Sequence, residues 1–293
     1  MERTSFDRTK SWRGRSWAHK LFRTHHTELN QLYWSHAAAS AFTMYADSRE
    51  CPSKPPSDVL KYKGRDRDVM RDRDLWLRSY KNFSNWTRLG ALVGLTGYFE
   101  VYLRTVSALA LESDPGVEYG RSGAVDGAVF LKYGGNWDKS KSVESIVHGE
   151  WSGRISAYNR LFGQVPAELS GAVGQLEKIR KMRNGVAHKF GRDIGAYTQR
   201  CCPSPDPLAR LSERRMKDWM GLLDDVVEAV DLHLTSRHIG DYELLWYFHD
   251  WKRKQWQSNS DLVRSFKKSV ARVLGNGPSM SYCRSVVTHY NSL

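Results

Sequence analysis

The chain has 293 residues, enough for one large domain or for a core domain with terminal extensions. Hydrophobic residues make up 40% and aromatic residues 12% of it, which excludes a disordered protein. The formal net charge of +13 is high for an enzyme that acts on small molecules, and it favours a polyanionic partner. Nucleic acid is favoured over a membrane surface, because no single amphipathic helix carries the excess charge.

The sequence gives no sign of a membrane span, a secretory signal or a metal centre. No apolar run approaches the roughly 20 residues that a spanning helix needs, and the charged N-terminus has no apolar segment behind it. The cysteines form no C-x-x-C pair and have no histidine at metal-ligand spacing. We therefore expect free thiols, no metal, no cofactor and a cytoplasmic location. The cysteines are Cys51, Cys201, Cys202 and Cys283.

The first part of the chain is predicted to be helical. Residues 12–47 have helical periodicity and form one long helix or a helical pair. The prolines at 52–56 end any helix there. Alternating arginine and aspartate over 65–74 is typical of a solvated, self-paired segment, with a functional charge patch as the weaker alternative. Residues 75–111 are again helical, with a core helix over 89–111 in which Gly94 and Gly97 permit close approach of a neighbouring helix.

The rest of the chain is also mainly helical. Residues 115–150 are rich in glycine, and 125–133 form a short strand, a hairpin or a loop. Helices are predicted over 154–162 and 167–190, followed by a loop over 191–211. Ser212 suits the N-cap of a helix that continues to Leu234, and two more amphipathic helices cover 242–256 and 262–274. The predicted class is mainly α, as a helical bundle.

The stretch Arg183-Asn184-Gly185-Val186-Ala187-His188 combines groups that can cleave RNA without a metal. A general base removes the proton of the ribose 2′-hydroxyl, that oxygen attacks the adjacent phosphate, and a guanidinium stabilises the charge on the phosphoryl oxygens. The spacing alone is weak, since roughly one R-x-x-x-x-H is expected by chance and a second copy lies at Arg284–His289. The first copy differs because Asn184 follows the arginine directly and a helical run precedes it.

The helical phase of this stretch divides its residues between two faces. Leu176, Ile179, Val186 and Phe190 recur at helical spacing and are expected to face the core, whereas Arg180, Asn184 and His188 share the opposite side. Arg183 and His188 are five positions apart, which is about 140° around a helix. One copy cannot easily direct both at one phosphate, so the spacing favours a symmetric dimer with a composite cleft.

These residues resemble the HEPN superfamily, all-α proteins whose ribonuclease members carry R-x-x-x-x-H, often with Asn, Asp or His after the arginine. A preceding helix with Glu100 and a closing helix over 216–234 are similar to the family as well. The resemblance covers roughly residues 76–240. It implies a HEPN-type bundle over 76–240 and does not explain the two ends. The sequence pattern itself predicts a basic helical N-terminal extension with a charged linker over 1–75 and an aromatic-rich helical C-terminal extension over 241–293.

The resemblance also implies an activity and a biological role. It suggests a metal-independent endoribonuclease that dimerises, often a toxin or an antiviral effector. In HEPN toxins paired with a nucleotidyltransferase antitoxin, a tyrosine two positions after the histidine accepts nucleotides. Phe190 stands there in this chain, so silencing by that modification is not expected.

Each candidate site residue has a functional and a structural interpretation. His188 is the candidate general base, or a histidine that donates to the last carbonyls of its helix. Arg183 holds the scissile phosphate, forms an ion pair with Glu100 or another acid, or does both. Asn184 orients the phosphate or His188, or caps a helix end beside Gly185. Glu100 is more plausibly a structural partner of Arg183 than an acid or base.

Two further groups of residues have open interpretations. A basic cluster follows an RNA backbone or forms a solvated helix face; its members are Arg180, Lys181, Lys189 and Arg192. The aromatic residues over 246–256 stack on bases of a single strand or, more often for such patterns, belong to a core or a dimer interface. His233, His238 and His249 have no carboxylate or thiol at ligand spacing, so a metal site is not expected there.

The leading hypothesis is therefore a homodimeric, metal-independent endoribonuclease that cuts single-stranded RNA or a tRNA loop, because in-line attack needs an unpaired nucleotide. The alternative is a non-catalytic RNA-binding or partner-binding module with HEPN-like helices. A third hypothesis is a DNA-associated defence or regulatory subunit that needs another protein. Since an unregulated ribonuclease would harm its host, an inhibitor, a sensor protein or a triggering ligand is expected as well.

Overall fold

A computed structural model describes residues 6–49, 54–64, 70–135, 137–189, 209–254 and 261–293, with only the backbone of Lys189. Within these ranges the protein consists of helices and contains no β-strand, so the predicted mainly α class is confirmed. The helices are α1 (Trp17–Arg49), α2 (Pro56–Val59), α3 (Arg73–Ser113), α4 (Gly127–Tyr133), α5 (Ser140–Val147), α6 (Trp151–Phe162), α7 (Ala167–Lys189), α8 (Glu213–Leu234), α9 (Tyr242–Arg253), α10 (Leu262–Leu274) and α11 (Met280–Ser292).

Two elements of other helix types join these α-helices. A 3₁₀ helix covers Pro115–Tyr119, and a π-helical turn over Thr235–Ile239 continues directly from α8. None of the helices in the described ranges is both long enough and apolar enough to cross a bilayer.

The prediction of a strand, hairpin or loop over 125–133 is wrong, because α4 occupies most of it. Asp126 caps this helix: its side chain accepts a hydrogen bond from the Ala128 amide at 2.9 Å. Gly134 then ends it in the left-handed conformation, with φ of 76°. A helix of seven residues has at most two turns, which is too short to show the apolar periodicity by which a helix is predicted from sequence.

The expected close approach at Gly94 and Gly97 is also not observed. A Cβ atom built at either position has no other described atom within 4 Å apart from the local helix itself. Both glycines lie inside α3 and are partly exposed. Their small size therefore serves no helix contact within the described part of the chain.

The contacts divide the chain into two compact units. The first unit contains residues 1–22, 100–174 and 224–293, and the second contains residues 23–99 and 175–223. The candidate motif on α7 belongs to the second unit. The predicted boundaries at 75/76 and 240/241 remain predictions.

In the first unit, two carboxylates from later helices satisfy the N-terminus of α1. The Ser16 amide donates to Asp231 at 3.0 Å, and the Trp17 amide donates to both Glu243 oxygens at 2.9 and 3.0 Å. The Ser16 hydroxyl accepts from the amide of His19, as an N-cap does. The first turn of α1 is therefore held by α8 and α9, since its amides have no partner within the helix.

Arg8 fixes the N-terminal segment of the first unit. Its guanidinium donates to Asp126 at 3.0 Å, to the Ile239 carbonyl at 2.8 Å and to the Ser113 carbonyl at 3.1 Å. Gly240 lies against this segment with φ of 53°, and a Cβ there would be 2.2 Å from the Arg8 carbonyl oxygen. Only glycine fits this position without displacing backbone.

The core of the second unit is built on apolar faces of α3, α7 and α8. Fully buried leucines on α3 recur at helical spacing as Leu89, Leu92 and Leu95. Asn85 holds the chain ahead of α8, since its amide donates to the Ala209 carbonyl at 2.8 Å and accepts from the Leu211 amide at 2.9 Å. The predicted N-cap of α8 is confirmed: the Ser212 hydroxyl accepts from the Arg215 amide.

In its described part, residues 70–74, the charged segment also pairs with another element, whereas the sequence predicted a self-paired segment. Arg73 forms an ion pair with Asp47 near the end of α1 at 2.8 Å, and the Asp47 side chain is only 4% exposed. Asp72 accepts from the amides of Asp74 and Leu75 and so caps α3. Residues 65–69 lie outside the described residues.

Candidate active site

The candidate motif occupies the last two turns of α7. Arg183 and Asn184 are partly buried, whereas Ala187 and His188 are exposed. Neither Arg183 nor His188 is enclosed in the core of this copy, which would have been incompatible with a role in cleaving RNA. Both remain within reach of a large substrate.

Arg183 lies on the apolar face of α7. Leu176, Ile179 and Val186 are 1–3% exposed and form the predicted stripe, and Arg183 stands in this stripe between the last two. Phe190, predicted to continue the stripe, lies outside the described residues. A guanidinium at a stripe position is costly unless its donors are satisfied, so the position of this side chain is constrained.

Asn184 holds the arginine through a direct contact. The Arg183 Nη1 donates to Asn184 Oδ1 at 3.0 Å. This bond occupies the carbonyl oxygen of the amide and leaves its NH₂ group as a possible donor to a phosphate oxygen. The alternative in which Asn184 caps a helix end is not observed, because α7 continues through Gly185 to Lys189.

His188 stands on a different side of the helix from Arg183. Five positions correspond to about 140° of rotation, and the observed burial agrees, with Arg183 in the apolar stripe and His188 exposed. Within the described part of the chain, no hydrogen bond or ion pair of the His188 imidazole is observed. The ring is thus available to a substrate or to a second copy of the chain, and a single copy does not direct both groups at one point.

Glu100, the expected partner of Arg183, lies on α3 and is partly buried. Its negative charge contributes to raising the pKa of Arg104 one turn later, although a hydrogen bond from Arg104 to Glu144 is the largest cause. The pairing of Glu100 with Arg183 remains a prediction.

An acidic residue that was not predicted as part of the site lies beside the basic cluster. Glu177 accepts two hydrogen bonds from Arg180, at 3.0 and 2.6 Å, and lies 3.8 Å from the Lys181 ammonium. Arg180 is therefore partly neutralised, whereas Lys181 is 70% exposed. The Lys189 side chain and Arg192 lie outside the described residues. The spacing of three and four positions was the available signal for these ion pairs.

Two arginines that were not predicted as site residues line a pocket in the same unit. Arg214 and Arg215, at the start of α8, border a cavity of about 370 Å³ together with Gln175 from α7 and Trp219. Both arginines are exposed. Asp218 also lines this cavity and offsets part of their charge. The cavity extends the basic surface of the second unit beyond the motif helix.

The second R-x-x-x-x-H copy, Arg284–His289 on α11, has a structural role. The His289 ring packs against Phe6 with ring centroids 5.0 Å apart, and burial lowers the pKa of this histidine. Its Nε2 atom is buried without a hydrogen-bond partner in the described residues. This copy therefore presents no accessible base, in contrast to His188.

The aromatic segment on α9 belongs mainly to a core. Phe248 is fully buried and packs edge-on against Phe266 and Tyr290, with centroids 4.9 and 5.1 Å apart. Tyr247 bonds the Ser269 hydroxyl at 2.6 Å, whereas Trp246 is 44% exposed. Residues 255 and 256 lie outside the described residues. The core interpretation holds for most of the segment.

No cluster of three or more His, Cys, Asp or Glu side chains suited to a metal ion occurs among the described residues. No carboxylate lies at metal-ligand spacing from His238 in the sequence. In the fold, however, Nδ1 of His238 lies 3.0 Å from Asp114, 124 positions away. Cys283 is a free, buried thiol, and burial raises its pKa to about 11.

Comparison of the chain with protein-family models, with curated proteins and with solved structures finds no match.

Proposed function

We propose that this protein is a metal-independent endoribonuclease whose active site is formed by Arg183, Asn184 and His188 from two copies of the chain. The observation that carries the proposal is the arrangement at the end of α7. An exposed imidazole lies within two turns of a guanidinium that an adjacent carboxamide holds in place. The net charge of +13 supports a nucleic-acid substrate.

The proposed reaction is a transesterification within the RNA. The neutral His188 imidazole removes the proton of a ribose 2′-hydroxyl, and that oxygen forms a bond to the adjacent phosphorus. The bond from phosphorus to the 5′-oxygen breaks, and the leaving oxygen takes a proton from solvent water, while the His188 imidazolium returns its proton to the solvent. The products are a 2′,3′-cyclic phosphate and a 5′-hydroxyl.

Arg183 and Asn184 stabilise the charge that builds up on the phosphoryl oxygens. A guanidinium offers two parallel donors to such oxygens, and the Asn184 NH₂ group adds a third. Since the bond from Arg183 to Asn184 fixes both side chains, little reorganisation is needed when the charge develops.

The separation of Arg183 from His188 around α7 is the reason for proposing a dimer. With an angle of about 140° between them, the base of one copy acts on the phosphate that the arginine of the other copy holds. Such a composite cleft is typical of a twofold axis, where the same surface contributes twice.

The direct test is cleavage of a single-stranded RNA in EDTA, followed by identification of the new ends. Wild type is expected to leave cyclic phosphates and 5′-hydroxyls. His188→Ala is expected to lose at least about a hundredfold in rate, as removal of a general base does. Arg183→Lys keeps the charge but loses the paired donors, and a similar loss is expected.

Matched controls separate chemistry from folding. Arg284→Ala changes the arginine of the second R-x-x-x-x-H copy, and Lys178→Ala removes an exposed cation from α7 itself. Both are expected to cleave as wild type does. Cleavage by His188→Ala at the wild-type rate would refute the assignment. RNA binding without any strand scission would instead favour a non-catalytic RNA-binding module.

The cellular role suggested by the HEPN resemblance, a toxin or an antiviral effector, is part of this proposal. Sequencing of RNA ends after expression of wild type and His188→Ala in parallel tests it. New 5′-hydroxyl ends restricted to the wild-type culture would support the role and would identify the RNA that is cut.

A further inference from the structure

A second cavity, of about 500 Å³, lies in the first unit, which does not contain the candidate motif. It is formed by the end of α6, the π-helical turn after α8 and the segment from the 3₁₀ helix to residue 122. Its volume falls in the range of about 300–1,000 Å³ that is typical of small-molecule sites. The residues that line it include Val117, Ser122, Arg160, Leu161, Phe162, Arg237 and His238.

Two arginines from different elements supply positive charge to this cavity. Arg160 lies in the last turn of α6 and Arg237 in the π-helical turn, and both are exposed. Among the described residues neither guanidinium forms an ion pair or a hydrogen bond. Two cations on one cavity repel each other, and an anion bound between them would relieve that repulsion.

The charge of Arg237 contributes to the electrostatics of a neighbouring histidine. Burial, followed by the charges of His238 and Arg237, lowers the pKa of His233 to about 4. The Tyr158 hydroxyl lies 2.8 Å from Nδ1 of His233. Arg237 therefore lies close enough to this ring for its positive charge to disfavour the protonated form.

A buried histidine with a free ring nitrogen completes the polar side. His238 and Asp114 are 5% and 6% exposed, and Nδ1 of the histidine lies 3.0 Å from the carboxylate. Since an ionised carboxylate only accepts, Nδ1 carries the hydrogen of this bond. The other nitrogen, Nε2, is buried and has no hydrogen-bond partner among the described residues.

The carboxylate that orients this histidine is itself held firmly. Ser122 donates to Asp114 at 2.5 Å and the Gly123 amide donates at 2.9 Å. Burial opposes ionisation, but the hydrogen bonds from His238, Ser122 and Gly123 together keep the pKa of Asp114 below its usual value. A histidine whose Nδ1 is held by a carboxylate, and whose Nε2 has no hydrogen-bond partner among the described residues, is typical of a binding position.

Other residues that line the cavity are apolar. Val117, Leu161 and Phe162 are 2–7% exposed, and the Phe162 ring packs on His238 with centroids 5.2 Å apart. A simple inorganic anion would leave these residues unused. A ligand that carries both an anionic group and a flat apolar group matches both kinds of lining residue.

We propose that this cavity binds a ribonucleoside monophosphate, with its phosphate between Arg160 and Arg237 and its base against the wall formed by Val117, Leu161 and Phe162. The proposal does not depend on the ribonuclease activity, because the cavity and the motif lie in different units and share no residue.

The test is a calorimetric titration of the full chain with the four ribonucleoside 5′-monophosphates, with adenosine and with inorganic phosphate as separate probes. At least one nucleotide is expected to bind with a Kd below about 1 mM and more tightly than adenosine or phosphate. Arg160→Ala and Arg237→Ala are each expected to weaken that nucleotide about tenfold, as loss of a charged hydrogen bond does.

Arg272→Ala, an exposed arginine on α10 in the same unit, serves as the matched control and is expected to bind as wild type does. His188→Ala is also expected to retain full nucleotide affinity, which separates this proposal from that of the ribonuclease. The proposal is overturned if none of the four nucleotides binds below about 1 mM. It is equally overturned if Arg160→Ala and Arg237→Ala, folded by circular dichroism, bind as tightly as wild type.

Discussion

At the scale of single residues, Glu177 offsets part of the positive charge on the surface of α7 that is proposed to bind RNA. Its carboxylate pairs with Arg180 and lies near Lys181. Replacing Glu177 by Gln removes one negative charge from this surface. We expect affinity for a non-cleavable 2′-O-methyl RNA to rise up to about fivefold, within the range of exposed ion pairs, and the salt dependence of binding to steepen by about one counterion.

Fluorescence anisotropy at several salt concentrations measures both quantities for Glu177→Gln. Glu168→Gln provides the control, since this glutamate lies in the first turn of the same helix and is exposed. Unchanged affinity and an unchanged salt slope in Glu177→Gln would show that RNA does not contact this surface.

Glu243 makes the stability of the fold depend on pH. Burial raises the pKa of this carboxyl to about 8, from 4.5 for an ordinary glutamate, and the Trp17 amide only partly opposes the rise. At pH values between 4.5 and about 8, the Glu243 carboxyl keeps its proton in the folded protein, whereas in the unfolded chain it has released that proton. The free energy of unfolding therefore falls as pH rises through this window, by up to about 1.4 kcal/mol per pH unit.

The variant Glu243→Gln removes this linkage and keeps an oxygen that can accept from the Trp17 amide. We expect the difference in Tm between variant and wild type to move in favour of the variant as pH rises from about 5 to about 8. Thermal denaturation at a series of pH values measures it. A difference that stays constant with pH would contradict the raised pKa.

Some residue-level features followed from the sequence and others did not. The stripe of Leu176, Ile179 and Val186 on α7 and the cap at Ser212 are local, so spacing along the chain was sufficient to predict them. The pairing of His238 with Asp114 joins residues 124 positions apart. No spacing rule indicates such a contact, because it depends on packing of distant elements.

At the scale of elements, Gly94 is a weak point inside α3. No described atom lies within 4 Å of a Cβ built at this position, apart from its own helix. Since glycine costs a helix interior about 0.5–1 kcal/mol relative to alanine, we expect Gly94→Ala to raise the free energy of unfolding by that amount. Urea denaturation measures the change. A loss of stability would mean that this face packs against something in solution.

Gly240 is expected to respond in the opposite way. Its φ of 53° disfavours any side chain, and a Cβ would meet the Arg8 carbonyl oxygen at 2.2 Å. We expect Gly240→Ala to lower the free energy of unfolding by about 1–3 kcal/mol, measured by the same urea titration. A neutral substitution would show that the N-terminal segment does not pack there in solution.

The helices α3, α8 and α10 were predictable, whereas α4 and α5 were not. The spans of α3, α8 and α10 match their apolar periodicity to within about two residues, as expected of long amphipathic segments. By contrast, α4 and α5 contain seven and eight residues, and glycines surround them. Their helical state depends on a cap and on packing against α9 and α6, which the local sequence does not encode.

At the scale of the whole molecule, the proposed composite site predicts complementation between two inactive variants. His188→Ala keeps Arg183, and Arg183→Lys keeps His188. When both chains are co-expressed, mixed dimers place the arginine of one copy opposite the histidine of the other. We expect ribonuclease activity well above that of either variant alone.

Cleavage assays on the co-purified mixture, with sedimentation to establish the oligomeric state, measure this complementation. Mixing two preparations of the same variant is the control and is expected to remain inactive. If wild type is active and dimeric but the mixture is not, each copy cuts RNA with its own residues alone.

The long-range capping of α1 also has a consequence for biosynthesis. The amide of Trp17 donates to Glu243, which lies 226 positions later in the chain. At a ribosomal rate of about 5–20 residues per second, that partner arrives roughly 10–45 seconds after Trp17 has been translated. The start of α1 thus lacks the Glu243 carboxylate throughout this interval, and chaperones have that time in which to act on the open end of the helix.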